Sequence, residues 1–352
     1  MIVVIASDSY KGCLSSAEVA NAAAMGVRSI FPEAEIRIVP VADGGEGTVE
    51  ALVDSLGGTI AKATVSDPLG RPVEAAYGIA GELAIIESAA ACGLTLLAPE
   101  ERNPMLTTTR GLGELILDAL GRGCRQFLVG LGGSATNDGS RGMAETPGLL
   151  EAAAGAHFTI ACDVDTPFIG PHGASRVFGP QKGASPDEVE KLEARLADYA
   201  REILEKTGID VRDIPGAGAA GGLGGAFKAF FGAELRRGVD MVLDAVGFDD
   251  ILEGAELVIT GEGCSDFQTP KGKTASGVLA RARAKGIPAI LVSGAVRHCP
   301  ELDAMGFAAI CAATPEGTPL AEAMRPDNAK RNITGAVGAL LSQAGPTLLY
   351  QQ

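Results

Sequence analysis

The chain has 352 residues, 46% of them hydrophobic, with 29 Lys and Arg against 44 Asp and Glu and a formal charge of −15. That balance argues against nucleic acid, whose binding rests on counterion release by basic side chains, and 4% aromatics with no tryptophan leave few platforms for stacking on single strands. No uncharged apolar run reaches the 18 residues of a membrane span, and seven cysteines without CxxC or zinc-like spacing predict reduced thiols in a cytoplasmic protein.

In chain order, residues 2–6 (Ile-Val-Val-Ile-Ala) predict a buried parallel strand, followed by the polar turn Ser7-Asp8-Ser9-Tyr10-Lys11-Gly12. Ser15 and Glu18 have capping-box spacing, and Val19, Ala23, Val27 and Phe31 follow at helical intervals. A second strand over 35–41 runs into Ala42-Asp43-Gly44-Gly45-Glu46-Gly47-Thr48 and another helix. Strands are expected at 83–86 and 126–130, with a helix around 112–120 between them. A capped helix opens at Ser185, Pro186 and Glu188 and buries Val189, Leu192, Leu196 and Ile203. The βα alternation then returns: a strand at 257–260, a helix over 274–285, and strands at 289–293 and 308–312.

This alternation predicts an α/β fold of two domains. One, residues 1–75 with 255–352, is a discontinuous Rossmann-like domain with a parallel sheet. The other, residues 76–254, is an inserted α/β domain with a mixed sheet. Ligands of parallel sheets sit beyond the carboxyl ends of the strands, where the two polar turns fall.

The 48 glycines, about twice the usual share of roughly 7%, gather in short clusters with carboxylates. The clusters are residues 8–12, 43–48, 132–139 (Gly-Gly-Ser-Ala-Thr-Asn-Asp-Gly), 216–225 and 260–273. Cys162-Asp163-Val164-Asp165 and Phe178-Gly179-Pro180-Gln181-Lys182-Gly183-Ala184 lie among them. Phosphoryl transfer needs this inventory: amides and cations for phosphate oxygens, carboxylates for Mg2+, and one carboxylate for the hydroxyl proton. The same residue types also build ordinary turns and helix caps. Gly216-Ala217-Gly218-Ala219-Ala220-Gly221 matches the dinucleotide fingerprint GxGxxG, but residues 211–214 make a poor strand and Pro215 interrupts the approach. Gly272-Lys273-Thr274 is no Walker A motif, because Phe267 stands where its first glycine belongs. The histidines (157, 172, 298) are isolated and read as structural.

Taken together and in order, residues 8–12, 42–48, 132–139, Cys162-Asp163-Val164, 178–184, 216–222 and Thr260-Gly261-Glu262-Gly263 resemble the type 1 glycerate kinase family. Asp67-Pro68-Leu69-Gly70-Arg71-Pro72 and Asn103-Pro104 with Thr107, Thr108 and Thr109 fit the same pattern, so the resemblance runs nearly end to end. It implies transfer of the ATP γ-phosphate to D-glycerate, usually giving 2-phosphoglycerate, with Mg2+. It also implies two α/β domains with the site in the cleft between them. The chain is expected to be a monomer or homodimer.

On that resemblance, Lys11, Asp43 and Asp138 are the candidate catalytic residues, with Asp43 and Asp163 as candidate Mg2+ ligands. Substrate or phosphate contacts are expected from Asp8, Ser9, Gly44, Gly45, Glu46, Gly132, Gly133, Ser134, Thr136, Asn137, Lys182, Gly216, Gly218, Gly221, Gly222, Glu262 and Asp266. Three departures from the family pattern stand out. Cys264 and Ser265 replace an arginine and an aliphatic residue, Ser140 replaces a second glycine, and the stretch from Met143 to His157 is shortened. The alternatives are a binding-only or catalytically weakened descendant, motivated by Cys264, and a nucleotide-dependent oxidoreductase using residues 216–221.

Overall fold

The computed structural model describes the backbone of residues 1–349 and the side chains of residues 1–343. The chain divides into two compact units, Met1–Asp43 with Val242–Gln352, and Gly44–Met241. The sequence-based junctions, near residues 75 and 255, fall elsewhere than these divisions.

In the first unit a parallel five-stranded sheet runs in the order Ala309–Ala312, Ala289–Ser293, Leu257–Thr260, Ile2–Ile5, Glu35–Ile38. Its central strands are β-branched runs covered on both faces, as parallel strands must be, with Val3, Ile5, Ile259 and Ile290 essentially inaccessible. The Ser16–Ile30 helix begins with the expected capping box, Ser15 and Glu18 each bonding the other's backbone amide, and buries Val19, Ala23 and Val27 on the sheet. Connections leave Ile2–Ile5 in one direction to Glu35–Ile38. On the other side the strand lies beside Leu257–Thr260, so strand order reverses there. Such a switch point opens a crevice at the carboxyl ends of the two strands.

The second unit holds a mixed six-stranded sheet in the order Thr59–Ser66, Pro72–Ala80, Leu83–Glu87, Gln126–Gly130, His157–Ala161, Glu234–Arg236. The first two pairings are antiparallel and the last three parallel. The Thr59–Ser66 strand had no place in the sequence reading. Its hairpin partner is fixed by the Asp67-to-Arg71 turn, where Asp67 Oδ1 accepts from the Leu69 and Arg71 amides at 2.8 Å each. That motif, matched to the family pattern in the sequence, is therefore structural here. The core packs Leu112, Leu115 and Ile116 of the Arg110–Gly121 helix with Phe127 and Phe158, whose rings stack at 4.5 Å. No helix among the described residues is long and apolar enough to cross a membrane.

Candidate active site

The loops after Ile2–Ile5, Glu35–Ile38 and Leu257–Thr260 meet at the carboxyl edge of the first unit's sheet. The Asp8 amide donates to Gly261 O at 2.9 Å, tying the first loop to the third. Here a cavity of about 470 Å3 is lined at one end by Asp8, Lys11, Asp43, Glu262 and Lys273.

Asp8 is 5% exposed. One oxygen accepts from the Ser9 amide at 2.7 Å and the other from Thr274 Oγ1 at 2.8 Å. Burial pushes its pKa up to about 6, and the nearby Asp43 charge adds to the rise, against the opposing effect of its hydrogen bonds and Lys11. Glu262 is also buried, but it is paired: Oε2 lies 3.0 Å from Lys273 Nζ, and Oε1 accepts from Ser265 Oγ at 2.9 Å and Thr269 Oγ1 at 2.5 Å. Burial by itself lowers the Lys273 pKa, yet the Glu262 bond, with Asp266 and Asp43 further off, outweighs it and the net shift is upward. Lys273 is the N-cap of the Thr274–Ala284 helix. The Gly-Lys-Thr triplet dismissed as a phosphate loop thus contributes both an ammonium to the cavity and a hydroxyl to Asp8. Sequence reading missed Lys273 and Thr274 as site residues because no spacing rule links them to residues 8 and 262.

Ser265, the first unit's departure from an aliphatic residue, joins this network, since its hydroxyl bonds both Glu262 and Ser293 Oγ at 2.7 Å. Cys264 is half-buried in the cavity wall; burial raises its pKa, while the charges of Arg297 and Lys273 pull the other way. Asp266 is a turn residue, its Oδ1 accepting from the Gln268 amide at 2.9 Å.

In the second unit the predicted residues gather at the carboxyl edge of the mixed sheet. A Cβ on Gly44 would stand 2.6 Å from Ala161 Cβ, and one on Gly130 would stand 2.3 Å from Gly44 O, so backbone contact explains these glycines. The Thr48–Leu56 helix takes its N-terminal partner from another strand, because Glu87 Oε1 accepts from the Gly47 and Val49 amides at 3.0 Å each. Glu46 is exposed, as are Gly132 and Gly133. Asp163, also exposed, accepts from the Gly238 amide at 3.0 Å.

Several other candidates are hydrogen-bonded within the framework, although Asn137 and Asp138 also line a second cavity of about 320 Å3. Asp138, expected to be catalytic, binds Thr109 through its amide and hydroxyl, both at 2.9 Å, and the Ser140 and Gly142 amides at 3.0 and 3.2 Å. The Ser134 and Thr136 hydroxyls bond each other at 2.9 Å. Asn137 Nδ2 donates to Ser175 Oγ at 2.9 Å. Lys182, expected to meet phosphate, is 2% exposed and donates to Thr136 O at 2.6 Å. Its burial lowers the pKa to about 7 despite the charge of Asp138. No strand precedes Gly216, and Ala220, Gly221 and Gly222 form a left-handed run with φ of 53°, 77° and 102°. A Cβ on Gly221 would lie 2.1 Å from Thr136 O, and one on Gly218 would lie 2.1 Å from Pro167 O. These glycines let two turns touch, and the strand-turn-helix geometry of a dinucleotide fingerprint is lacking among the described residues.

The glycerate kinase family model matches residues 3–152 and 145–343, the two pieces overlapping in the stretch read as shortened from the sequence. A glycerate kinase of Bacillus subtilis (strain 168) is 42% identical over 92% of this chain and 93% of its own length. A glycerate 2-kinase of Escherichia coli (strain K12) is 44% identical over 84% of this chain and 86% of its own. Among solved structures, one assigned as glycerate kinase 2 from Salmonella typhimurium LT2 is 41% identical, with a TM-score of 0.88 over 99% of this chain and 100% of that one. The chain belongs to the glycerate kinase family and is a phosphotransferase.

Proposed function

We propose that this protein transfers the γ-phosphate of ATP to D-glycerate, with 2-phosphoglycerate as the product. The single observation that carries the proposal beyond family membership is the charged end of the switch-point cavity, where two lysines and three carboxylates converge. Phosphoryl transfer is catalysed mainly by positioning and charge stabilisation, which such a set supplies.

Lys11 and Lys273 stabilise charge developing on the transferred phosphoryl group. Asp8, whose pKa of about 6 lets it take up a proton near neutrality, is the general base for the substrate hydroxyl. Asp43 is the residue that would hold Mg2+. Its carboxylate acts on Asp8 strongly enough to raise that pKa, and hard oxygen donors of this kind suit the ion. Among the described residues no group of three or more His, Cys, Asp or Glu could hold a metal; Mg2+ is commonly bound through one or two carboxylates plus substrate phosphates. When bound, Mg2+ would neutralise charge between the phosphates. The exposed amides of Gly132 and Gly133 are candidate donors to an anionic ligand group. The seven cysteines are free thiols, in keeping with a cytoplasmic setting.

The test is ADP release from Mg-ATP with D-glycerate, and phosphorus NMR of the product. A 2-phosphoglycerate signal at turnover well above buffer is expected. No turnover from folded protein in excess Mg2+ would leave a binding protein, and a 3-phosphoglycerate signal would correct the position.

A further inference from the structure

The cavity has a second end that the phosphoryl chemistry does not use. Away from the charged residues the lining is mainly apolar, with Ala295, Ala313, Leu320, Ala323 and Met324 beside Thr314 and Thr318. Leu320 and Met324 are 73% and 39% exposed, so this end presents uncovered hydrocarbon to solvent. The first turns of the Pro326–Leu349 helix add Ala329 and Asn332, three residues apart and therefore on one face. The Asn332 side chain lines the cavity and has no hydrogen-bond partner among the described residues. A primary amide carries a donor and an acceptor side by side.

Charge at one end, and a mainly apolar wall with an open amide at the other, suit an elongated ligand with an anionic tail and a flat ring. A nucleoside triphosphate has that shape. Among bases, adenine presents an amino donor beside a ring-nitrogen acceptor, the pair an asparagine amide reads with two hydrogen bonds. Guanine carries a carbonyl acceptor where adenine carries the amino donor, so an amide held in the orientation that reads adenine meets guanine acceptor to acceptor and donor to donor. We propose that the Leu320–Met324 end of the cavity is the purine subsite and that Asn332 selects adenine over guanine. This inference rests on the reading of the protein as a nucleotide-dependent kinase.

The experiment measures kcat/KM for ATP and GTP at saturating glycerate, together with equilibrium binding of ADP, GDP and adenosine by calorimetry. Asn332→Asp replaces the donor-acceptor pair with two acceptors, which match the two donors of guanine. The ATP-to-GTP ratio of kcat/KM is expected to fall at least tenfold. Met324→Glu, at a position exposed enough to spare folding, should raise KM for ATP about tenfold and weaken adenosine binding, with KM for glycerate unchanged. An unaltered nucleotide preference in Asn332→Asp and an unaltered KM for ATP in Met324→Glu would overturn the subsite while the kinase reading stands. A rise confined to KM for glycerate overturns it too, and assigns this end to the acceptor. If the wild-type protein binds ADP without turnover, the binding series still tests the subsite and the kinase reading fails. If it binds neither ADP nor adenosine, both fail.

Discussion

Lys273 Nζ lies 3.0 Å from Glu262 Oε2 inside the cavity, so the ammonium placed to meet a phosphate is held in advance by a buried carboxylate. Glu262 keeps its bonds from Ser265 and Thr269 when that lysine moves to a ligand. Lys273→Met leaves the carboxylate with hydroxyl partners alone. Turnover is expected to fall by roughly a hundredfold, from lost charge stabilisation. The lysine is partly exposed, so the stability loss should be smaller than the roughly 3–5 kcal/mol of a fully buried pair, about 1–2 kcal/mol. Steady-state kinetics and a thermal melt check the two effects, and unchanged kinetics would remove Lys273 from the site.

Asp8 carries its charge at a cost. Its folded pKa of about 6 lies above the ordinary 3.8, so between pH 4 and 6 the folded protein holds a proton that the unfolded chain releases. Stability therefore falls as pH rises through that window and stays lower above it. Asp8→Asn removes the penalty, and the ligand-free variant should melt higher than wild type at pH 7.5, by roughly 2–3 kcal/mol at most. The gain should vanish near pH 4, and turnover should drop at least a hundredfold. A pH-independent difference between the two melts would contradict the shift.

Lys182 behaves in the opposite sense. Its folded pKa of about 7 lies below the ordinary 10.5, so between those values the unfolded chain binds the extra proton. Stability is gained as pH rises from 7 towards 10 and is lowest below 7. Lys182→Met should flatten this dependence and stabilise the protein at pH 6 by several kcal/mol, on the order expected for a buried lysine. Activity at pH 8 close to wild type separates a framework lysine from one that contacts phosphate.

Ser140 stands where the family pattern has a glycine, and it adopts φ of 67° with a buried hydroxyl that has no partner. A left-handed conformation costs a non-glycine residue about 1–2 kcal/mol, and the unpaired hydroxyl adds to that. Glycine in turn gives up about 0.4–1 kcal/mol through the unfolded chain. Ser140→Gly should therefore stabilise by about 1 kcal/mol or more, seen as a Tm several degrees higher. A lower Tm would mean the hydroxyl has a partner in solution.

By itself the sequence determined the α/β alternation, the capping boxes at Ser15 and Ser185, and strands such as Leu257–Thr260 and Gln126–Gly130. These are local: hydrophobic period and cap chemistry are written within a few residues of one another. Asp8, Lys11, Asp43 and Glu262 were also legible as a set, since loops after parallel strands must converge at one edge of the sheet. The tertiary structure alone decided which polar residues face the cavity and which hold the frame. Asp138 and Lys182 have the composition of a site but spend their hydrogen bonds on Thr109 and Thr136, and Gly44 and Gly221 are small because another backbone passes beside them. Thr274 reaches Asp8 across 266 residues of sequence, a partnership that arises only when strands far apart in the chain become neighbours. Lys273 meets Glu262, 11 residues away, because the connection between strand and helix folds back on itself. Whether a buried polar group is satisfied depends on what packs against it, and a one-dimensional pattern does not carry that information.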